Sequence, residues 1–519
     1  MSKKTNPEAD YKAFLKKIYP ANQLKPKSIN QVIGLSRFSE KLHQVEQHFK
    51  GASFDSLNSA IQEEIILLRL QQIKNILELN PHWKQRFKDF EVTKPIKSFE
   101  DWQKLPVTDK ETAISFFSED RKGMVVPIEN GGFEIVASGG TSTGKPSETV
   151  YSLKELEDTY DISGKFMANQ LFNRFFDKKE KAPLVTTTYA DYQLWSSGTM
   201  VGGVLQKIPG ANYIAAGPID KKVYHLMMNY EGPKVFLGTT EQIGSLYEYG
   251  NDLDEETRNS LRLGLYCSGL LPAKKQAELK ELYPNLDILS YFSASQAEAI
   301  AIQLDKNDNA LTTVPGLHFV EIVDENGKWV KEGEEGELVI TRLHCNEAPL
   351  IRFKLGDRAV RLPLRNEKEL KAFQFEFRGR SGDVIHLDDH QFSALNTYEY
   401  LKNALKNVYA FDVDMIASHV QIVNRRKERK LSVLLTSENA IQNQQIIGGK
   451  LGVYGMQCLV KDALVNSMGL YSKSSINFDT VEKLGYQFEI KFVEKDSSEI
   501  HRTEVGKVPF FRDILDTNL

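Results

Sequence analysis

The chain has 519 residues, a formal net charge of −4 at pH 7, and 41% hydrophobic and 26% charged residues. At roughly 150 residues per domain, this length exceeds one ordinary core and points to about two to four units. The small net charge excludes a global field that gathers nucleic acid. No stretch reaches the roughly 18 to 20 continuous apolar residues of a membrane span, so no membrane role is expected.

The N-terminus, residues 1–6, is polar and lacks the apolar run of a secretory signal. Residues 1–120 read as helical and irregular. Within 61–79, Ile65, Ile66, Leu68, Leu70, Ile73, Ile76 and Leu77 recur at helical spacing. Asn80-Pro81 then stops the helix, because a residue before proline avoids the helical region. Asp109 or Thr108 is placed to cap a short helix. From about 130 to 360, β-rich runs at 182–188, 234–238, 261–267 and 286–291 alternate with helical stretches such as 273–282. This alternation predicts an α/β domain with parallel strands. Runs at 336–341 and 350–361 read as strands near its end. The character changes at 379–382, and a smaller unit follows with strands at 431–435 and 487–493. The organisation expected is a helical part over 1–120, an α/β body over 121–379 and a small domain over 380–519. The basic run 424–430 reads as a solvated turn between two strands. Cys267, Cys345 and Cys458 are odd in number and widely spaced, which fits neither a disulfide framework nor a metal cluster. A cytoplasmic protein is expected.

The most informative segment is Ser138-Gly139-Gly140-Thr141-Ser142-Thr143-Gly144-Lys145-Pro146. Glycines let backbone amides approach an anion, hydroxyls add donors, and Lys145 adds charge. The run 133–136 reads as a strand, so the loop would leave a strand end, where α/β proteins bind ligands. It is not the loop of P-loop ATPases: Pro146 stands where that motif needs a Ser or Thr hydroxyl for magnesium.

This segment resembles the phosphate loop of the acyl-adenylate-forming superfamily, which includes acyl-CoA synthetases, adenylation domains and luciferases. The resemblance implies that Ser138, Gly139, Gly140, Thr141, Ser142, Thr143, Gly144 and Lys145 face the phosphates of ATP. Further segments match in the family's order. Tyr266-Cys267-Ser268-Gly269 is similar to a turn that packs on adenine, which implicates Ser268 and Gly269. Ser290-Tyr291-Phe292-Ser293-Ala294-Ser295-Gln296 is similar to an aromatic-containing turn that ends in a hydroxyl and a carboxylate. Tyr291 and Ser295 match it. Gln296 departs, offering a neutral oxygen where magnesium favours an anionic one, and Glu298 stands two residues on as the substitute ligand. Gly336 to Thr341, followed by Pro349 to Asp357, implies that Asp357 takes the two ribose hydroxyls, with Arg352 and Lys354 at positions that are basic or aromatic in relatives. Gly379-Arg380-Ser381-Gly382-Asp383 is similar to the start of the small domain, with Arg380 reaching ribose or phosphate and Gly382 at the pivot. Last, Arg502-Thr503-Glu504-Val505-Gly506-Lys507 resembles the C-terminal loop whose lysine bridges the carboxylate and the α-phosphate, which makes Lys507 the catalytic candidate.

With the upstream run Pro81 to Phe87 and Ile96 to Lys110, the matches extend from Phe87 to Pro509 and resemble most the phenylacetate–CoA ligases and the acyl-protein synthetases. The resemblance implies a large N-terminal α/β domain and a small, mobile C-terminal α+β domain. It implies ATP and Mg2+ as cofactors and a small carboxylic acid as substrate. Coenzyme A or a phosphopantetheine-bearing acyl-carrier protein would accept the acyl group, and a cysteine or an amine stays open as acceptor. A non-catalytic relative that binds nucleotide or acid is the reading from another class, and a homodimer stays open. Tyr189, Tyr192 and Trp195 follow a strand where relatives line the acyl site, which suits an aromatic or apolar acid and equally a packing role for these rings in the core. Gly316-Leu317-His318 fits one corner of the zinc site some relatives carry, but no cysteine is near in the sequence, so no structural zinc is predicted.

Overall fold

The structure is a computed structural model that describes residues 7–138, 147–192, 194–267, 269, 271–467, 476–503 and 508–515. The chain divides into two compact units, Met1–Gly269 with Leu282–Phe377, and Leu270–Glu281 with Arg378–Leu519.

The first unit opens with helices α1 (Pro7–Ile18), α2 (Phe38–His48) and α3 (Ser59–Leu77). Asn58 caps α3 by accepting from the Ala60 amide at 2.9 Å. The helix carries the predicted apolar stripe and also buries Arg69, Gln72 and Lys74. Asn80-Pro81 does more than end a helix. Asn80 accepts from the His82 and Trp83 amides, and Pro81 occupies the first turn of α4 (Pro81–Asp89), where its missing N–H costs nothing. Asp109 caps α5 (Lys110–Phe117) through the Thr112 amide at 2.8 Å.

A hairpin of β1 (Phe133–Ser138) and β2 (Ser147–Ser152) comes next, followed by α6 (Leu153–Met167). The strands of the main sheet are β3 (Leu184–Thr187), β4 (Asn212–Ala215), β5 (Lys234–Thr239), β6 (Leu261–Cys267), β7 (Asp287–Ala294), β8 (Glu298–Gln303), β9 (Leu311–Thr313), β10 (His318–Val323), β11 (Glu335–Arg342), β12 (Phe353–Arg361) and β13 (Gln374–Arg380). They form one eleven-stranded sheet in the order β10-β11-β12-β13-β9-β8-β7-β6-β5-β3-β4. From β4 to β7 the pairings are parallel, as the helix–strand alternation predicts. From β7 to β9 and from β10 to β12 they are antiparallel. The parallel expectation therefore holds for half of the sheet. Strands β8 to β12 follow one another through connections too short for a crossover helix, and short connections enforce antiparallel pairing.

The turn joining β11 to β12 is buried through residues 341–350. A buried backbone must find its partners within the protein, and Arg69 supplies several. Its guanidinium donates to the Leu343 carbonyl, to the Cys345 carbonyl at 3.2 Å and to Asn346 Oδ1 at 2.7 Å.

In the second unit, β14 (His419–Arg425), β15 (Lys430–Thr436), β16 (Gln487–Val493) and β17 (Phe511–Ile514) form a sheet in the order β16-β15-β14-β17. Arg425 pairs with Lys430, so the basic run is the hairpin turn expected of it. Alternate residues Phe488, Ile490 and Phe492 enter a core with Leu401 and Leu405 of helix Ala394–Tyr409 and with Val460 and Leu464 of helix Ala440–Asn466.

Arg69→Met keeps the apolar stem and takes this donor from four buried acceptors, the fourth being Gln72 Oε1. It should lower stability by about 3 kcal/mol or more, read as a fall in the urea midpoint of the fluorescence transition of this Trp-containing unit.

Candidate active site

Ser138 ends β1 and pairs with Ser147 at the start of β2. The glycine- and hydroxyl-rich segment therefore joins the two strands of an antiparallel hairpin. It leaves a strand end, as the run 133–136 implied, but that strand belongs to a two-stranded sheet, because the run 147–152 is itself extended and pairs back. Gly139, Gly140, Thr141, Ser142, Thr143, Gly144 and Lys145 lie outside the described residues, as do Ser268 and Lys507.

Two contacts bring other candidates to this hairpin. The Ala137 amide donates to the Leu194 carbonyl at 2.9 Å, so the tight turn between Tyr192 and Trp195 abuts the end of β1. Leu194 has φ +68°, a conformation uncommon for a side chain with a Cβ. Asp191 steadies this loop by accepting from the Thr199 amide at 3.0 Å. The three aromatic candidates separate here. Tyr189 is buried, donates to the Gly238 carbonyl at 2.7 Å and lies 2.9 Å from Cys267 Sγ, at the ends of β5 and β6. Tyr192 is exposed and Trp195 half-buried.

The second contact runs from Tyr151 on β2, whose hydroxyl donates to the Ser295 carbonyl at 2.8 Å. Ser295 and Gln296 form the turn between β7 and β8, with Ser295 exposed and Gln296 half-buried. A register shift between Phe292 and Ser293 precedes this turn, and such bulges re-aim side chains. Tyr291 is buried in the core beneath, and burial pushes its hydroxyl pKa up.

Glu298 does not share the surface of that turn. It is buried, accepts from the Thr159 hydroxyl at 3.3 Å and lies 3.9 Å from His318 Nε2. Burial pushes its pKa up to about 7 against the pull of Arg342, and pushes that of His318 down to about 3. His344 completes the cluster, its ring edge-on to His318 with centroids 5.6 Å apart. Among the described residues, no group of three His, Cys, Asp or Glu is arranged to hold a metal ion.

Asp357 lies on β12, 3% exposed, beside Gly356 with φ +79°. Arg352 is fully buried and structural: it pairs with Glu321 at 3.1 Å and donates to the Gly327 carbonyl at 2.6 Å. Lys354 is half-buried on the same strand. Gly269 has φ +150°, and its neighbour Thr240 donates to the Cys267 carbonyl at 3.3 Å. In the second unit, Arg380 is exposed at the end of β13, and its carbonyl accepts from the Asp383 amide at 3.1 Å. Gln421 on β14, fully buried, donates to the carbonyls of His501 at 3.1 Å and Pro509 at 3.0 Å and accepts from the His501 amide at 2.9 Å.

The sequence reading missed Tyr151, Glu155, Thr159, His344 and Gln421. Of the cluster around Glu298, only His318 carried a sequence signal.

No protein-family model matches the chain. It is 25% identical over 154 residues to the D-alanine–D-alanyl carrier protein ligase of Bacillus licheniformis, a match covering 28% of this chain and 29% of that ligase. The chain thus aligns with under a third of that relative's length. It is 22% identical over 342 residues to the phenylacetate–coenzyme A ligase of Aromatoleum evansii and 24% identical over 345 residues to that of Escherichia coli. Each of these matches covers 64% of this chain and 74% of the ligase. A 2-hydroxyisobutyryl-CoA ligase, solved in its postadenylation state with 2-HIB-AMP, superposes with TM-score 0.65 at 15% identity, over 89% of this chain and 91% of its own. The chain has the adenylate-forming ligase fold. The resemblance read from its motifs accords with sequence relatives in the phenylacetate–CoA ligase branch.

In this fold the buried β11–β12 turn is held from the other side by Glu155 of α6, which accepts from the amides of Asn346 and Glu347. Burial first, then the neighbouring Glu347, pushes its pKa from 4.5 up to about 8. A raised carboxyl favours folding below its unfolded pKa and loses that contribution as pH climbs to the folded value. The window is pH 4.5 to about 8. Glu155→Gln keeps the accepting oxygen and removes the titration. Its Tm relative to wild type should rise by a few degrees from pH 5 to pH 9, followed by scanning calorimetry; a constant difference across that range would contradict the assignment.

Proposed function

We propose that the chain is an ATP-dependent acid–thiol ligase that forms an acyl-adenylate, releases pyrophosphate and then transfers the acyl group to a thiol, coenzyme A first among the acceptors. The observation that carries this reading is a convergence within the first unit. The hairpin that carries the 139–146 segment, the Tyr189–Trp195 loop and the Ser295–Gln296 turn are joined by the Ala137–Leu194 and Tyr151–Ser295 hydrogen bonds. These are the segments that the resemblance assigns to phosphate, acid and phosphate again.

In the first half-reaction a carboxylate oxygen of the acid attacks the α-phosphorus of ATP, and the bond to the bridging oxygen of pyrophosphate breaks. Such a displacement asks the protein for positioning and charge neutralisation. The amides and hydroxyls of 138–144 with Lys145 are assigned to the phosphates, and Ser268 and Gly269 to the adenine. Asp357 is assigned to the ribose hydroxyls, which suit a bidentate acceptor, and Arg380 to the ribose or phosphate. Lys507 is assigned to the carboxylate and α-phosphate. Magnesium bound with the ATP phosphates would neutralise their charge; Gln296 would offer it an oxygen from the turn, while Glu298 lies beneath. In the second half-reaction a thiolate attacks the acyl carbonyl carbon and AMP leaves.

The acid is a small one. Tyr189, with its hydroxyl turned to Gly238 and Cys267, favours an aromatic or apolar acid. Transfer to a carrier-protein thiol is a second reading, favoured by the relationship to a D-alanyl carrier protein ligase.

Carboxylate-dependent ATP–pyrophosphate exchange over a panel of aryl and short-chain acids tests the reading. At least one acid should support exchange, and Lys507→Ala should lower it on the order of 100-fold. Asp357→Ala should raise the KM for ATP about tenfold, the worth of one charge-assisted hydrogen bond. No exchange with any acid would favour a nucleotide- or acid-binding protein without turnover. Mass spectrometry with coenzyme A and with a phosphopantetheinylated carrier then separates the acceptors.

A further inference from the structure

We propose that Tyr151 is a positioning residue for adenylation: its hydroxyl fixes the turn that presents Ser295 and Gln296. This rests on the adenylation reading. Tyr151 is fully buried, and a tyrosine hydroxyl in such a place must find an acceptor. It donates to the Ser295 carbonyl at 2.8 Å, 144 residues away in the chain. The Glu298 carboxylate, at the far end of the same turn, is its other neighbour.

The ring has no freedom to follow the turn. The Arg342 guanidinium stacks on it with Cζ 4.4 Å from the ring centre. Arg342 is itself fully buried and donates to the carbonyls of Val150 at 3.3 Å and Ala348 at 3.1 Å. β2 and the β11–β12 turn thus hold the ring from two sides, and the hydroxyl passes that rigidity to a surface turn. Within it the Ala297 amide donates to the Ala294 carbonyl at 2.9 Å, the register slips two residues earlier, and Ser295 is exposed. Removing the Tyr151 donor frees the Ser295 carbonyl to swing toward solvent and takes both side chains with it. The acid is assigned to the Tyr189–Trp195 loop and not to this turn.

Tyr151→Phe retains the ring and its stacking and removes only the donor. Amide hydrogen exchange in the peptide spanning 293–299 should quicken about tenfold, the upper range for one neutral hydrogen bond, with the peptides of β10 and β11 unchanged. In ATP–pyrophosphate exchange the variant should lose about tenfold in kcat and need more Mg2+ for half-maximal rate, with the KM for the acid within twofold of wild type. A loss of packing would instead lower Tm and scale the rate with the folded fraction; Tyr151→Leu, which also removes the ring, serves as that comparison. Wild-type hydrogen exchange at 293–299 together with wild-type kcat in Tyr151→Phe would overturn the role of Tyr151 alone. A wild-type enzyme that exchanges with no acid would sink the adenylation reading and the catalytic role with it, while the hydrogen-exchange arm still judges the tether.

Discussion

A chain segment that passes through the interior without regular structure must have each of its backbone groups served by the protein around it. The turn between β11 and β12 meets this demand from every direction. Arg69 serves the carbonyls of Leu343 and Cys345, Glu155 the amides of Asn346 and Glu347, and Arg342 the carbonyl of Ala348. The amides of Val125 and Val126 donate to the Glu347 carbonyl, and Thr108 donates to the Ile351 carbonyl at 2.8 Å. Helix α3, helix α6, the segments around 108 and 125, and β11 itself are thereby registered on one short turn. Through Arg342 that register extends to Tyr151, and through Tyr151 to the Ser295–Gln296 turn.

The demand also explains a helix that looks contradictory in sequence. α3 carries Arg69, Gln72 and Lys74 among Leu70, Ile73, Ile76 and Leu77, and all are buried. Charged and amide side chains are tolerated there because each has a polar partner, backbone carbonyls for Arg69 and Gln72 and the Glu78 carboxylate for Lys74. Arg69 reaches the turn, and Gln72 donates to the Gln23 carbonyl at 2.9 Å. A buried guanidinium with five donors is an efficient way to satisfy several carbonyls at once.

What could be read from the sequence was whatever has a local period or a fixed spacing. The helix at 273–282 and the strand at 487–493 stand where periodicity puts them. The ordered motifs pointed to a fold that the whole chain then displays. Hidden from the sequence was everything that depends on distant residues. Tyr151 meets Ser295, and Thr159 meets Glu298, across 144 and 139 residues, and a lone Tyr or Thr carries no sign of such a partner. The hairpin around 139–146 was legible only in its first strand, for a related reason. A short extended run announces a strand, but not which strand it pairs with. His318 was noticed only as a corner of a metal site, whereas its surroundings are a second histidine, a carboxylate and a threonine.

The residues that hold the candidate site are therefore of a different kind from those assigned to its chemistry. Tyr151 and Gln421 are fully buried and bond to backbone. Gln421 suits its place because it offers both a donor pair and an acceptor. An apolar residue of like size would leave the His501 amide and the carbonyls of His501 and Pro509 unpaired, a cost paid in the interior. Holding a segment by its backbone leaves its side chains free to differ. The Ser295 carbonyl is fixed by Tyr151 whatever stands at 295 or 296. On the role proposed for Tyr151, Gln296, where the resemblance expects a carboxylate, alters the charge that the turn presents and leaves its tether in place. The effect of this departure then belongs in magnesium dependence, not in stability.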